Sequence, residues 1–159
     1  MAKITQASTK CFQLVKHFES LFLRAYLCPA NVPTIGYGTT IYPDGRKVKI
    51  GETCTIEQAE VFLQYDLKYF NQRVDALAID SINQNQFDAL VSFCYNVGSK
   101  NLQDSTLLKI VNTNPNDNEN IAAQFARWNK GGGKVLKGLT RRRKAEAYLY
   151  TTGELNFFE

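Results

Sequence analysis

From Cys11 the apolar side chains recur at Cys11, Leu14, Val15, Phe18, Leu21 and Phe22. That is the rhythm of a helix with one buried face. On it Glu19 lies about 80° from the middle of the stripe, at the shoulder where core meets solvent. His17 falls on the polar side, as solvated surface. Between Thr34 and Ile50 the rhythm changes. Thr34-Ile-Gly-Tyr-Gly-Thr-Thr-Ile-Tyr42 and Lys47-Val-Lys-Ile50 are β-branched and aromatic, with Pro43-Asp44-Gly45 between them. A small antiparallel sheet with a turn at Pro43 is expected.

Thr55-Ile-Glu-Gln58 has the form of a capping box and opens a second helix with the stripe Ile56, Ala59, Leu63, Leu67, Phe70, Val74. A third is expected from near Asn83, stacking Phe87, Leu90, Val91, Cys94 and Val97 and stopping at Gly98. Shorter helices follow at Thr106 to Asn112, Glu119 to Trp128 and Thr140 to about Thr151, and Trp128 is expected in their core. The polar stretch Asn112 to Asn120 reads as a surface connection. The class is α+β with strands confined to the N-terminal third. One domain over 1–159 is expected, in two lobes of about 1–60 and about 75–159. The long helix would be the spine between them, and a cleft between lobes suits an extended polymer.

With 44% hydrophobic and 21% charged residues in 159, the chain can bury a core without metal or disulfide staples. The net charge of +4 suits an anionic polymer but does not choose among nucleic acid, membrane and cell wall. No apolar run approaches the ~18 residues of a membrane span, and Met1 to Lys10 lacks the apolar stretch of a leader. Cys11, Cys28, Cys54 and Cys94 contain no C-x-x-C pair and no neighbouring His, so reduced thiols are expected rather than a zinc site. Gly131-Gly-Gly-Lys134 fails as a phosphate loop, because Trp128 and Val135 occupy the motif's Gly and Ser/Thr positions. It reads as a flexible loop bordering the cleft. Arg141, Arg142 and Arg143 read as a solvated face.

Glu19, Cys28 and Thr34 are the candidate catalytic residues. Cleaving a glycosidic bond takes a carboxylic acid to protonate the leaving oxygen and a second group across the sugar to activate water or oppose positive charge. A carboxyl at the edge of an apolar face is partly desolvated, which favours its protonated form. A thiol, with an ordinary pKa of about 8.5, serves as a counter-charge only if neighbours lower it. A cysteine protease would need a partnered His, and His17 is read as surface.

The run Phe18-Glu19, Ala25-Tyr26, Cys28 and Thr34-Ile-Gly-Tyr-Gly38 resembles the phage-type lysozymes (endolysins) of glycoside hydrolase family 24. That family is marked by Glu, eight residues, Asp or Cys, five residues, then Thr, and both gaps are reproduced. Gln84 to Gly98 and Arg127 to Arg143 also resemble the family's helical lobe. The resemblance implies a lysozyme-like fold and a muramidase that acts on bacterial peptidoglycan without metal or cofactor. Glu19 would be the general acid, Thr34 would hold the hydrolytic water and Cys28 would orient or activate it, with inversion. Tyr37, Gly132 and Arg142 are the expected substrate contacts, and Arg142 is the expected partner of Glu19. Also implied are a monomer, no nucleic-acid partner, no stable membrane insertion, and residence in the host cytoplasm until a holin opens the way to the wall. The chain departs from the family at Ser20, usually Gly, and Thr39, usually His. A lytic transglycosylase using the same acid and a non-catalytic wall-binding module are the rival readings.

Overall fold

A computed structural model describes residues 3–159; Met1 and Ala2, the start of the stretch read above for a leader, lie outside the described residues. The chain divides into two compact units, Glu19–Tyr69 and the residues on either side of it.

In the first unit, β1 (Phe22–Leu27) and β2 (Pro33–Gly36) form an antiparallel hairpin. Phe22 lies opposite Gly36, Tyr26 opposite Thr34 and Leu27 opposite Pro33, with an irregular register between the first two pairs. The other edge of β1 takes up residues 52–54: Ala25 N donates to Glu52 O (2.8 Å) and Cys54 N to Leu23 O (2.9 Å). The expected turn at Pro43-Asp44-Gly45 is present, closed by Gly45 N to Tyr42 O (2.9 Å) and Tyr42 N to Arg46 O (2.8 Å), but it continues as an isolated bridge between Ile41 and Lys47 with Val48 N donating to Thr40 O (3.0 Å), and not as full strands. The principal hairpin is therefore one strand upstream of the expected one. Ala25, Ile35, Tyr42 and Val48 form the core, covered by Cys54 and by Phe62.

Phe62 belongs to α2 (Ile56–Leu77). Its start is the capping box read from the sequence, with Gln58 N donating to Thr55 Oγ1 (3.0 Å) and Thr55 N to Gln58 Oε1 (2.9 Å). Ala59 on its first turns comes so close to β2 that a Cβ added to Gly36 would sit 3.2 Å from the Ala59 Cβ.

The second unit contains α1 (Thr9–Phe18), the end of α2, α3 (Gln84–Val97), α4 (Ser99–Asp104), α5 (Thr106–Thr113), α6 (Asn118–Ala126), a short hairpin of β3 (Lys130–Gly131) and β4 (Lys134–Val135), and α7 (Lys137–Thr152). The buried helix α3 is capped by Asn83, whose side chain accepts from Gln86 N, and stops at Gly98 as the sequence indicates. It packs on α1 and α7, and α7 also packs on α6.

Five expectations need correction or refinement. The helical stripe overruns α1: the helix stops at Phe18, Leu21 and Phe22 are exposed, and Glu19 is the first residue past the helix rather than on its shoulder. His17 is exposed as expected, but its ring stacks on Phe157 with centroids 3.9 Å apart, and Nε2 lies 3.0 Å from a Glu159 carboxylate oxygen. The glycine loop is a hairpin. Arg142 and Arg143 are 2% and 1% exposed, because Glu146 one turn along α7 lies between them, 3.2 Å from Arg142 Nε and 3.3 Å from Arg143 Nε. Trp128, expected in the core, is half-buried and set edge-on to Phe93.

Gly36 also has φ +67°, a conformation an L side chain adopts at a cost. Gly36→Ala is expected to lower stability by about 2–4 kcal/mol, from that strain and the crowding against Ala59. Urea unfolding checks this; a loss below about 1 kcal/mol would show that β2 and α2 can separate freely.

Candidate active site

Glu19 is half-buried in the link between α1 and β1. β1 ends at Leu27, and the chain must reverse over the next residues to begin β2 at Pro33. Cys28 N donates to Val32 O (3.1 Å) and Asn31 N to Cys28 O (2.8 Å), and Asn31 takes the left-handed conformation (φ 60°) that asparagine tolerates. With those carbonyls engaged, the N–H groups of Val32 and Ala30 point at the Cys28 sulfur. They hold its thiol below the ordinary value against the opposing effect of partial burial. The Thr34 hydroxyl adds to this. Its hydrogen lies on Val32 O (2.8 Å), and the sulfur is its other acceptor within reach once the thiol ionises. The condition that a neighbour lower the thiol is met, by backbone more than by side chains.

Tyr26 brings the three candidates together. It sits opposite Thr34 in the ladder. Its phenol is pushed above the ordinary tyrosine value by partial burial, then by the negative charges of Cys28 and Glu19. Sequence reasoning did not single it out, although it stands two residues before Cys28 on the same strand edge of the motif.

Tyr37 is buried in the Gly36–Gly38 turn. Gly132 and Arg142 belong to the helical unit. Gly132 is at an exposed left-handed position of the β3–β4 hairpin, with open space where a Cβ would project. Arg142 donates to the Glu146 carboxylate and the Ser92 carbonyl oxygen, both at 3.2 Å.

Asp66 on α2 was missed. It accepts from the Thr39 hydroxyl (2.8 Å), and burial holds its carboxyl up to about 6 even though that hydrogen bond opposes the rise. Thr39 in turn exchanges backbone hydrogen bonds with Ile35, the neighbour of Thr34, both at 2.9 Å. The signal was available: Asp66 falls on the line Ala59, Leu63, Asp66, Phe70, a carboxylate set in an apolar helical stripe.

A half-buried glutamate leading into a short antiparallel hairpin that carries a lowered thiol and a buried threonine, in a chain that also contains a helical unit, defines a lysozyme-like protein. Residues 16–146 match the phage lysozyme family, and the chain belongs to it. It is 43% identical to an endolysin of Bacillus phage B103 over 142 residues, 89% of this chain; it spans about half (52%) of that protein's length. The structure of an endolysin from Escherichia coli O157:H7 phage FAHEc1 superposes with a TM-score of 0.83 at 40% identity, covering 95% of this chain and 96% of that one. The muramidase domain of SpmX from Asticaccaulis excentricus gives 0.81 at 33% identity, covering 94% and 99%.

Cys28 is expected to react with iodoacetamide first, since burial pushes the thiols of Cys11, Cys54 and Cys94 up. Its rate should reach half-maximum below the pH of a free thiol, about 8.5. Peptide mapping across a pH series reads this, and prior labelling of Cys54 would contradict the geometry. For Asp66 the folded state holds the proton more tightly than the unfolded one. Its contribution to stability is therefore complete below the ordinary carboxylate range and lost as pH rises through about 6. The rise corresponds to at most ~3 kcal/mol, and partial solvent access brings this to about 1–2. Asp66→Asn should be more stable than the wild type by that amount at pH 7.5, with no such gain at pH 3.5, in urea unfolding at the two pH values.

Proposed function

We propose that this protein is a muramidase that hydrolyses the β-1,4 bond between N-acetylmuramic acid and N-acetylglucosamine in bacterial peptidoglycan. Family membership supports the reaction class. The observation that carries the assignment of roles is the Cys28 sulfur, held toward its charged form by Val32 and Ala30 N–H beside Thr34.

In this reading Glu19 gives its proton to the leaving glycosidic oxygen. A water on the opposite face attacks the anomeric carbon and passes a proton to the Cys28 thiolate, while the Thr34 oxygen accepts its other hydrogen. The carbon inverts, and proton exchange with solvent then restores the glutamic acid and the thiolate. Tyr37, Gly132 and Arg142 are assigned to the substrate by resemblance only. The same resemblance supports a monomer held in the host cytoplasm until a holin releases it to the wall.

Glu19→Gln should lower the clearing of cell-wall suspensions by ~100-fold or more, as expected for loss of a general acid. Cys28→Asp supplies a permanent charge to the same N–H donors and should stay within about tenfold of wild type, while Cys28→Ser, which does not ionise in this range, should fall well below that. Equal activity of all three residues at position 28 would remove it from the mechanism. Mass spectrometry of the products should show hydrolysed reducing ends; anhydro ends would mean transglycosylation, and an active Glu19→Gln would end the assignment.

A further inference from the structure

We infer that Phe22 and Tyr26 form a stacking platform on which a sugar ring of the glycan strand, next to the one being cleaved, is held. This rests on the muramidase reading.

Phe22 is 40% exposed although it stands within a strand. Its cross-strand partner is Gly36, so no side chain from β2 covers it. Its ring contact is with Tyr26, centroids 4.1 Å apart and planes 36° apart. The two rings thus form one tilted aromatic surface, and Tyr26 within it lies opposite Thr34 and in the field of Glu19 and Cys28. Phe22 stands four positions before Tyr26, at the end of β1 away from Cys28. Phe22 therefore extends the Tyr26 ring surface along β1 away from Cys28, where the sugar next to the one being cleaved would lie.

The chemistry of the platform selects its occupant. One face of a pyranose ring is a set of C–H groups, which the negative face of an aromatic ring attracts while both lose apolar contact with water. Its hydroxyl and acetamido groups remain outward for polar partners. Leu21, Leu23, Leu27 and Val32 are also exposed, which makes a lipid surface the rival occupant. Lipid fits worse. It would strip water from the Glu19 carboxyl and the Cys28 sulfur, whose hydrogen bonds a sugar can supply through its hydroxyls.

The test uses four forms of the full chain: wild type, Phe22→Ala, Phe22→Leu and Phe22→Trp, each checked for thermal unfolding. With soluble peptidoglycan fragments, Phe22→Ala and Phe22→Leu should raise KM about 5–10-fold while kcat falls less than about threefold, and Phe22→Trp should restore KM. The same order should appear in fragment binding measured in a Glu19→Gln background. The inference is overturned if KM and binding are unchanged in Phe22→Ala, or if Phe22→Leu matches wild type, since leucine keeps apolar area without a ring face. Loss of binding to phosphatidylglycerol vesicles with no change toward fragments would likewise overturn it in favour of lipid. A wild type that cleaves wall normally alongside silent Phe22 variants sinks only the platform. A wild type that cleaves no wall sinks the underlying reading.

Discussion

The reversal between Cys28 and Thr34 governs the rest of the proposed site. Two strands paired out to Leu27 and Pro33 leave the intervening residues no room to make ordinary ladder hydrogen bonds. The turn uses the carbonyls of Cys28 and Val32 internally, and the N–H groups of Ala30 and Val32 are left converging on the side chain at 28. Those donors are fixed by backbone geometry, so they require no reorganisation when charge appears there. The turn is prepared for an anion whichever residue supplies it. A thiol can stand where the family also uses a carboxylate for this reason: the backbone supplies much of what a carboxylate would bring by itself.

Legibility followed how local the deciding interactions were. The caps of α2 and α3 are set by residues three apart, Thr55 with Gln58 and Asn83 with Gln86, and both read correctly from the chain. The end of α1 did not. Leu21 and Phe22 continue the helical spacing, and periodicity records that a residue is apolar, not that it is buried. Their exposure, and the pairing of Phe22 with Gly36, are decided by a strand that starts eleven residues later. The partners of the exposed His17 were hidden for the same reason on a longer scale, since Phe157 and Glu159 reach it from the other end of the chain. Among the candidate residues, Glu19, Cys28 and Thr34 were picked out through family spacing, and Asp66 lies at a stripe position that was passed over.

The arginine run shows a different limit. Three like charges in sequence suggest solvent, but Arg142 and Arg143 share Glu146 at helical spacing, and Ser92 and Asn96 on α3 take further donors. Ser92 also donates to Glu146 (2.6 Å). Burying such a group costs several kcal/mol per ion, and pairing roughly offsets that rather than exceeding it. Its effect in the helical unit is therefore on uniqueness of packing more than on net stability. The contacts of this group with Ser92 and Asn96 fix the rotation of α7 against α3, since any other register would leave those buried polar groups without their partners across the two helices.

Cys28 and Asp66 are moved in opposite directions within one unit, and the cause differs in kind. Asp66 meets a single hydroxyl and much apolar surface, so loss of water dominates and its proton is held. Cys28 meets backbone donors at an open turn, so hydrogen bonding dominates and its proton is held less tightly than in a free thiol. Thr34 and Thr39 attend the two groups, and the Ile35–Thr39 backbone pair ties those threonines to one short segment, with Gly36 within it pressed against Ala59. A displacement of that segment would disturb both groups together. The replacement of the family's usual histidine by Thr39 then has a definite physical meaning. A cation at that position would hold Asp66 ionised, whereas a neutral hydroxyl leaves it able to take up a proton near pH 6. The support beneath β2 thus depends on pH in this chain, while the turn at Cys28 draws its strength from donors that do not titrate.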